Sequence, residues 1–185
     1  MEEIVRLNEL IRSHCRGARI RLADAYRVFD DGAGRLKREY SYGDGGHLNA
    51  AGYRRLGEFL AIELVDLLRP GTTVACLGDS ITEGYPGHIN DRTENEWEPY
   101  THYLKRPGVK VLNFGVSGDT TDGMMLRLHR DVARSGANVC ILLGGINDLL
   151  GGTPVQEVFE NLKAMYAELD RYHILPVAVT VLPID

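Results

Sequence analysis

The chain predicts an α/β protein, a three-layer α/β/α sandwich around a five-stranded parallel sheet. Three observations predict it. Short apolar runs recur and enter Gly-rich turns: TVACL before Gly78, VKVLN before Phe114-Gly115 and NVCILL before Gly144-Gly145, with PVAVTVL near the end. Amphipathic helical stretches separate these runs, and strands alternating with helices build parallel sheets covered on both faces. At 185 residues with a near-average apolar share, the chain fits one domain with a sizeable core.

The elements follow in order. Residues 2–14 carry Ile4, Leu7 and Ile11 at helical spacing before a Gly17 break. ARIRLADAYRVF then reads as a strand, centred on residues 18–23, running into polar turns. Asn49 is placed to cap a helix with Tyr53, Leu56, Leu60, Leu64 and Leu67 on one face, stopped by Arg69-Pro70-Gly71. Residues 97–104 suggest a short helix, and residues 120–135 a longer one capped by Asp119. In 153–172, Thr153 predicts the N-cap, Pro154 the first helical position and Gln156 a capping box. The expected buried face is Val155, Val158, Phe159, Leu162, Met165, Tyr166 and Leu169.

A net charge of -5, spread along the chain, argues against nucleic acid or an anionic membrane surface as partner. No apolar stretch is of bilayer length, and MEEIVRLNEL does not read as a signal segment. Three cysteines, two of them in apolar strand-like runs (Cys76 and Cys140), suggest a reducing, cytoplasmic setting. Six scattered histidines show no paired metal-ligand spacing, so neither metal nor cofactor is expected.

A serine hydroxyl becomes a nucleophile only with a base, a group that orients the base and donors for the oxyanion. Ser80, in GDSITEG, leaves a buried strand at the rim where doubly wound sheets bind ligands. Alone, Gly-Asp-Ser is also an ordinary capping turn. His47 follows Asp44 by three residues across two glycines, so the carboxylate can hold the imidazole while its far nitrogen faces Ser80. Alone, this is also a surface turn before a capped helix. Gly118, in NFGVSGDTT, offers a backbone N–H without a side chain in the way, and Asn147, in GGIND, offers an amide donor. Both also suit plain turns. His88 is a rival base with no orienting acid, and Trp97, Tyr100 and Tyr103 are candidate pocket walls or packing residues.

GDSITEG, NFGVSGD, GGIND and DGGHLN together resemble the four sequence blocks of the SGNH hydrolases, the GDSL-type esterases and lipases. The resemblance implies Ser80 as nucleophile and, through its N–H, first oxyanion donor. Gly118 and Asn147 are implied as the other donors, His47 as base and Asp44 as orienting acid. It spans nearly the whole chain with one departure: the Asp/His block ordinarily closes the sequence and here precedes Ser80. Joining Asp185 to Met1 and opening the chain near residues 70–72 restores the usual order, with residues 18–23 as last strand. The expectation is a single flavodoxin-like, circularly permuted SGNH hydrolase domain over 1–185, with 1–69 as the usual C-terminal part and 72–185 as the usual N-terminal part. The new terminus would then fall at the catalytic rim and leave the pocket more open there.

The implied function is hydrolysis of short-chain carboxylic esters, a small-molecule ester being the expected partner. A carbohydrate O-deacetylase, lysophospholipase or thioesterase is the alternative within the family. From another class come a non-catalytic anion- or ligand-binding α/β domain and an inactive permuted scaffold. Nothing indicates the oligomeric state.

Overall fold

The computed structural model describes residues 1–87 and 97–185. Its centre is one sheet of five parallel strands: β1 (Arg21–Ala23), β2 (Thr73–Gly78), β3 (Lys110–Gly115), β4 (Val139–Leu143) and β5 (Leu175–Val179). They lie in the order β1-β5-β4-β2-β3, with Ala75 of β2 opposite Leu112 of β3 and Cys140 of β4. Counted from β2 through β5 and round to β1, this is the 2-1-3-4-5 order of flavodoxin-like sheets, with its switch point between β2 and β4.

The alternation of side chains along the strands divides the core in two. On one face Ala75, Leu77, Cys140 and Leu142 pack beneath α1 (Glu2–Cys15), α5 (Thr121–Leu128) and α7 (Val155–Arg171). On the other, Val74, Cys76, Ile141 and Val177 meet α3 (Ala50–Glu63) and a 3₁₀ turn (Tyr100–Leu104). Gly57 permits that second contact, because a Cβ there would lie 2.6 Å from the Tyr100 carbonyl oxygen. All seven residues expected on the α7 face are buried, as are Ile4, Leu7 and Ile11 on α1. Asn49 caps α3, its side-chain oxygen accepting from Gly52 N–H at 2.9 Å.

Several boundaries differ from the expectations. The first strand is only Arg21–Ala23, and Tyr26–Phe29 is a helical turn, α2, rather than a strand continuation. The chain bends there because Tyr26 N–H donates to Thr180 Oγ1 at 2.8 Å while Asp24 pairs with Arg12. The helix after Asn49 ends at Glu63 and passes into turns before Pro70. Thr120, not Asp119, caps α5, because the Asp119 carboxylate is engaged by Arg127. Beyond Leu128 the helix widens into a π turn, His129–Ala133. α7 starts at Val155 with Pro154 as N-cap and without a capping box. Gln156 instead donates to Glu160, and Thr153 N–H closes the preceding turn on Asp148 O.

Cys15, Cys76 and Cys140 are free and buried. Burial pushes the Cys76 thiol up to about 12 and Cys15 to about 11, so both act as small apolar groups. No helix among the described residues is long and apolar enough to cross a membrane.

Candidate active site

The carboxyl ends of the strands deliver the site. β2 ends at Gly78, where a Cβ would sit 2.1 Å from Thr82 Oγ1 and 2.5 Å from Leu143 O, so only glycine lets the chain turn this tightly. Asp79 follows, its carboxylate accepting from Ile81 N–H at 2.9 Å, and Ser80 opens the single-turn helix α4 (Ser80–Glu83). In that first turn the Ser80 N–H has no partner within its own helix.

Asp44 and His47 lie between α2 and α3, in a loop the carboxylate organises itself. One Asp44 oxygen accepts from Gly46 N–H (3.2 Å) and His47 N–H (3.0 Å); the other lies 2.7 Å from His47 Nδ1. His47 Nε2 is 2.9 Å from Ser80 Oγ. With Nδ1–H donating to the carboxylate, Nε2 is left as the acceptor for the serine hydroxyl. Tyr85 packs against the imidazole with ring centroids 4.6 Å apart, and the Tyr53 hydroxyl donates to Tyr85 O at 2.5 Å. Burial acts to raise the Asp44 carboxyl. The N–H groups of His47 and Gly46 and the His47 ring outweigh it and hold the carboxyl below its usual value.

Gly118 follows β3 with a φ of +78°, exposed, in a position where a Cβ would meet nothing within 4 Å. Its N–H makes no hydrogen bond among the described residues. Asn147, on α6 (Ile146–Leu150) after β4, donates one amide hydrogen to Asp119 O at 2.8 Å and keeps the other. The structure thus brings Asp44, His47 and Ser80 into one hydrogen-bonded chain and sets Gly118 and Asn147 at the ends of the strands flanking β2.

Other candidates disperse. Tyr100 is fully buried beneath α4, its hydroxyl 3.3 Å from that of Thr82, and Tyr103 packs against Gly57. Trp97 meets Tyr42 edge to face at 5.6 Å, on the side of the His47 loop. His88 lies outside the described residues. The chain's last residues close their side of the rim rather than opening it. Asp185 N–H donates to Gly45 O (3.0 Å), its carboxylate accepts from Ser41 Oγ (2.6 Å), and Ile184 O accepts from Leu36 N–H (3.1 Å). Val181–Ile184, with Ile81, Leu143 and Ile146, wall a cavity of about 20 Å³ that also touches Asp79 and Gly46.

Four supporting residues escaped the sequence reading. Glu83 accepts from Ser117 N–H (3.0 Å) and from the Ser117 hydroxyl. Asp148 accepts from Thr121 N–H (3.0 Å) and Thr121 Oγ1 (2.5 Å), which anchors the start of α5. Arg127 is buried among strand-end carbonyls. The fourth, Asp79, is buried, and that burial pushes its carboxyl from 3.8 up to about 7; the Ile81 N–H opposes the shift and the Asp119 and Asp148 carboxylates add to it. The folded state therefore keeps a proton that the unfolded chain releases above about 4, and Asp79 makes stability fall as pH rises from about 4 to 7. Asp79→Asn keeps the cap acceptor and removes this slope. Denaturant midpoints for both proteins from pH 4 to 8 are expected to move progressively in the variant's favour up to about pH 7; a constant difference contradicts the assignment.

Among the described residues no group of three His, Cys, Asp or Glu side chains is arranged to hold a metal ion.

A family model, the GDSL-like Lipase/Acylhydrolase family, matches residues 76–185. The chain belongs to this family. YqeF of Bacillus subtilis (strain 168), named an uncharacterized lipoprotein, is 30% identical over 118 residues, covering 60% of this chain and 49% of that protein. The chain thus spans about half the length of that curated relative. Among solved structures, a protein of the G-D-S-L family from Desulfitobacterium hafniense DCB-2, described as lipolytic, is 27% identical with a TM-score of 0.51, covering 58% of each chain. AlinE4, an SGNH-hydrolase family esterase, is 27% identical with a TM-score of 0.50, covering 60% of this chain and 59% of that one. The family match contains Ser80, Gly118 and Asn147 and begins after the loop bearing Asp44 and His47.

Proposed function

We propose that this GDSL-family protein is a serine esterase with Ser80 as nucleophile, His47 as general base and Asp44 as the group that orients it. The observation that carries the reading is the continuous chain from Asp44 Oδ2 to His47 Nδ1 (2.7 Å) and from His47 Nε2 to Ser80 Oγ (2.9 Å). As Ser80 Oγ bonds to the ester carbonyl carbon, its proton passes to His47 Nε2, and the carbonyl oxygen becomes an oxyanion facing the donors of Ser80, Gly118 and Asn147. Collapse breaks the bond to the alcohol oxygen, which leaves with the proton from His47. Water then adds to the acyl carbon, its proton going to His47 and on to Ser80 Oγ as the carboxylic acid departs. No step needs a cofactor.

An anion-binding domain has no use for an imidazole wedged between a carboxylate and a serine hydroxyl, and that arrangement favours the enzyme over the binder or an inactive scaffold.

We also infer that the chain is one domain, 1–185, whose segments are rotated relative to the family order, 1–69 standing where the C-terminal part usually lies and 72–185 where the N-terminal part does. Three observations support it: the 2-1-3-4-5 strand order counted from β2, the family match confined to 76–185, and the seating of the His47 loop against both Ser80 and Asp185. The free, buried cysteines favour a reducing, cytoplasmic compartment; the lipoprotein name belongs to the B. subtilis relative.

For substrate the reading is a short-chain ester; a small cavity walled by Ile81, Leu143 and residues 181–184 touches Asp79 beside Ser80. In a series of nitrophenyl esters, acetate is expected to exceed octanoate in kcat/KM by about tenfold or more. An optimum at long chains points to lysophospholipase or thioesterase work instead, and an acetylated sugar preferred over both points to an O-deacetylase.

A further inference from the structure

The loop bearing Gly118 is pinned on both sides of that glycine. Val116 N–H donates to Gly78 O (3.0 Å), Ser117 is held by the Glu83 carboxylate, and Asp119 O accepts from Asn147 Nδ2 (2.8 Å). Behind the loop stands Arg127, on the buried face of α5. Its Nη2 donates to Gly78 O (2.9 Å), its Nη1 to Phe114 O (2.8 Å) and Asp131 Oδ2 (3.1 Å), and its Nε to Asp119 Oδ2 (2.7 Å). Gly123 lets the Asp119 carboxylate seat this deeply, because a Cβ there would lie 1.9 Å from Asp119 Oδ1.

One guanidinium thus joins the carbonyl two residues before Ser80, the end of β3 and the carboxylate next to Gly118, while the Asp119 backbone holds Asn147. We propose that Arg127 is a positioning residue, fixing the spacing of the Ser80, Gly118 and Asn147 donors without touching substrate. This rests on the esterase reading above. Lysine cannot substitute, because a single ammonium cannot reach four acceptors lying in the plane and directions of the guanidinium fork. The two carboxylates, Asp119 and Asp131, balance the buried charge, so Arg127 is not free to serve as an anion site itself.

Arg127→Lys, with its charge kept, is the test on 4-nitrophenyl acetate. Small displacements of oxyanion donors are expected to lower kcat about 10- to 100-fold with KM within about twofold. The shape of the pH profile is expected to match the wild type, because the Asp44–His47 pair contacts Ser80 through its side chain and not through this loop. Wild-type kcat in a folded Arg127→Lys protein, a loss confined to KM, or a displaced pH profile overturns the proposal. Should Arg127→Lys fail to fold, Asp119→Asn, which cuts the ion pair and leaves the backbone carbonyl to Asn147, is judged on the same three readings. Ser80→Ala in parallel separates the two ideas: activity surviving there sinks the esterase reading, whereas a dead Ser80→Ala beside an unimpaired Arg127→Lys sinks only the role of Arg127.

Discussion

Ser80→Ala is expected to remove ester hydrolysis, with kcat/KM falling by roughly 10³- to 10⁶-fold and the remainder coming from binding and the oxyanion donors alone. The loss is chemical rather than structural. The hydroxyl's partner is His47 Nε2, the Ser80 N–H and the Asp79 cap belong to the backbone and its neighbour, and alanine suits the first turn of a helix. Circular dichroism and the denaturant midpoint are therefore expected to stay close to wild type while turnover of 4-nitrophenyl acetate disappears. A folded Ser80→Ala protein with undiminished turnover contradicts the nucleophile assignment.

Asp44→Asn is expected to cost about 10⁴-fold in kcat, although it changes a single atom. Asparagine can still accept from Gly46 and His47 N–H with its oxygen, so the loop persists. Its amide group then faces Nδ1, which must turn acceptor, and the imidazole proton moves to Nε2, where it points at Ser80 and cannot take the hydroxyl proton. The pH behaviour follows from the same contacts. The Asp44 carboxyl is held below 3.8 despite its partial burial, so it stays ionised across the neutral range. Its favourable contribution to stability is complete above that usual value and is lost only as pH falls through the lowered one. The stability advantage of wild type over Asp44→Asn is thus expected to shrink below about pH 4. An Asp44→Asn enzyme with wild-type kcat removes Asp44 from the relay.

The elements set by hydrophobic period were legible: the face of α7, the strands β2, β4 and β5, and the Asn49 cap all follow from local spacing. Boundaries decided by distant partners were not. The strand at residues 21–23 is cut short by Thr180, more than 150 positions away, and the Asp119 cap is lost to Arg127. In the site, residues whose types announce chemistry could be singled out, because a serine at a strand-end glycine and an Asp-Gly-Gly-His loop are unusual in combination. Arg127 carried no such mark. An arginine on an amphipathic helix defaults to the solvated face, and only the fold shows it aimed at the carbonyls of Gly78 and Phe114. Asp79 and Asp148 were likewise hidden, because their burial is a property of assembled strand ends.

In the proposed mechanism His47, from the first third of the chain, activates Ser80, from the part beyond residue 70. Fluorophosphonate labelling of wild type and His47→Ala, read by peptide mass spectrometry, is the decisive experiment. A single adduct on Ser80 in the wild type, formed at least about 10²-fold more slowly in His47→Ala, is the expected result. Equal labelling in both proteins, or an adduct on another serine with Ser80 unmodified, contradicts it.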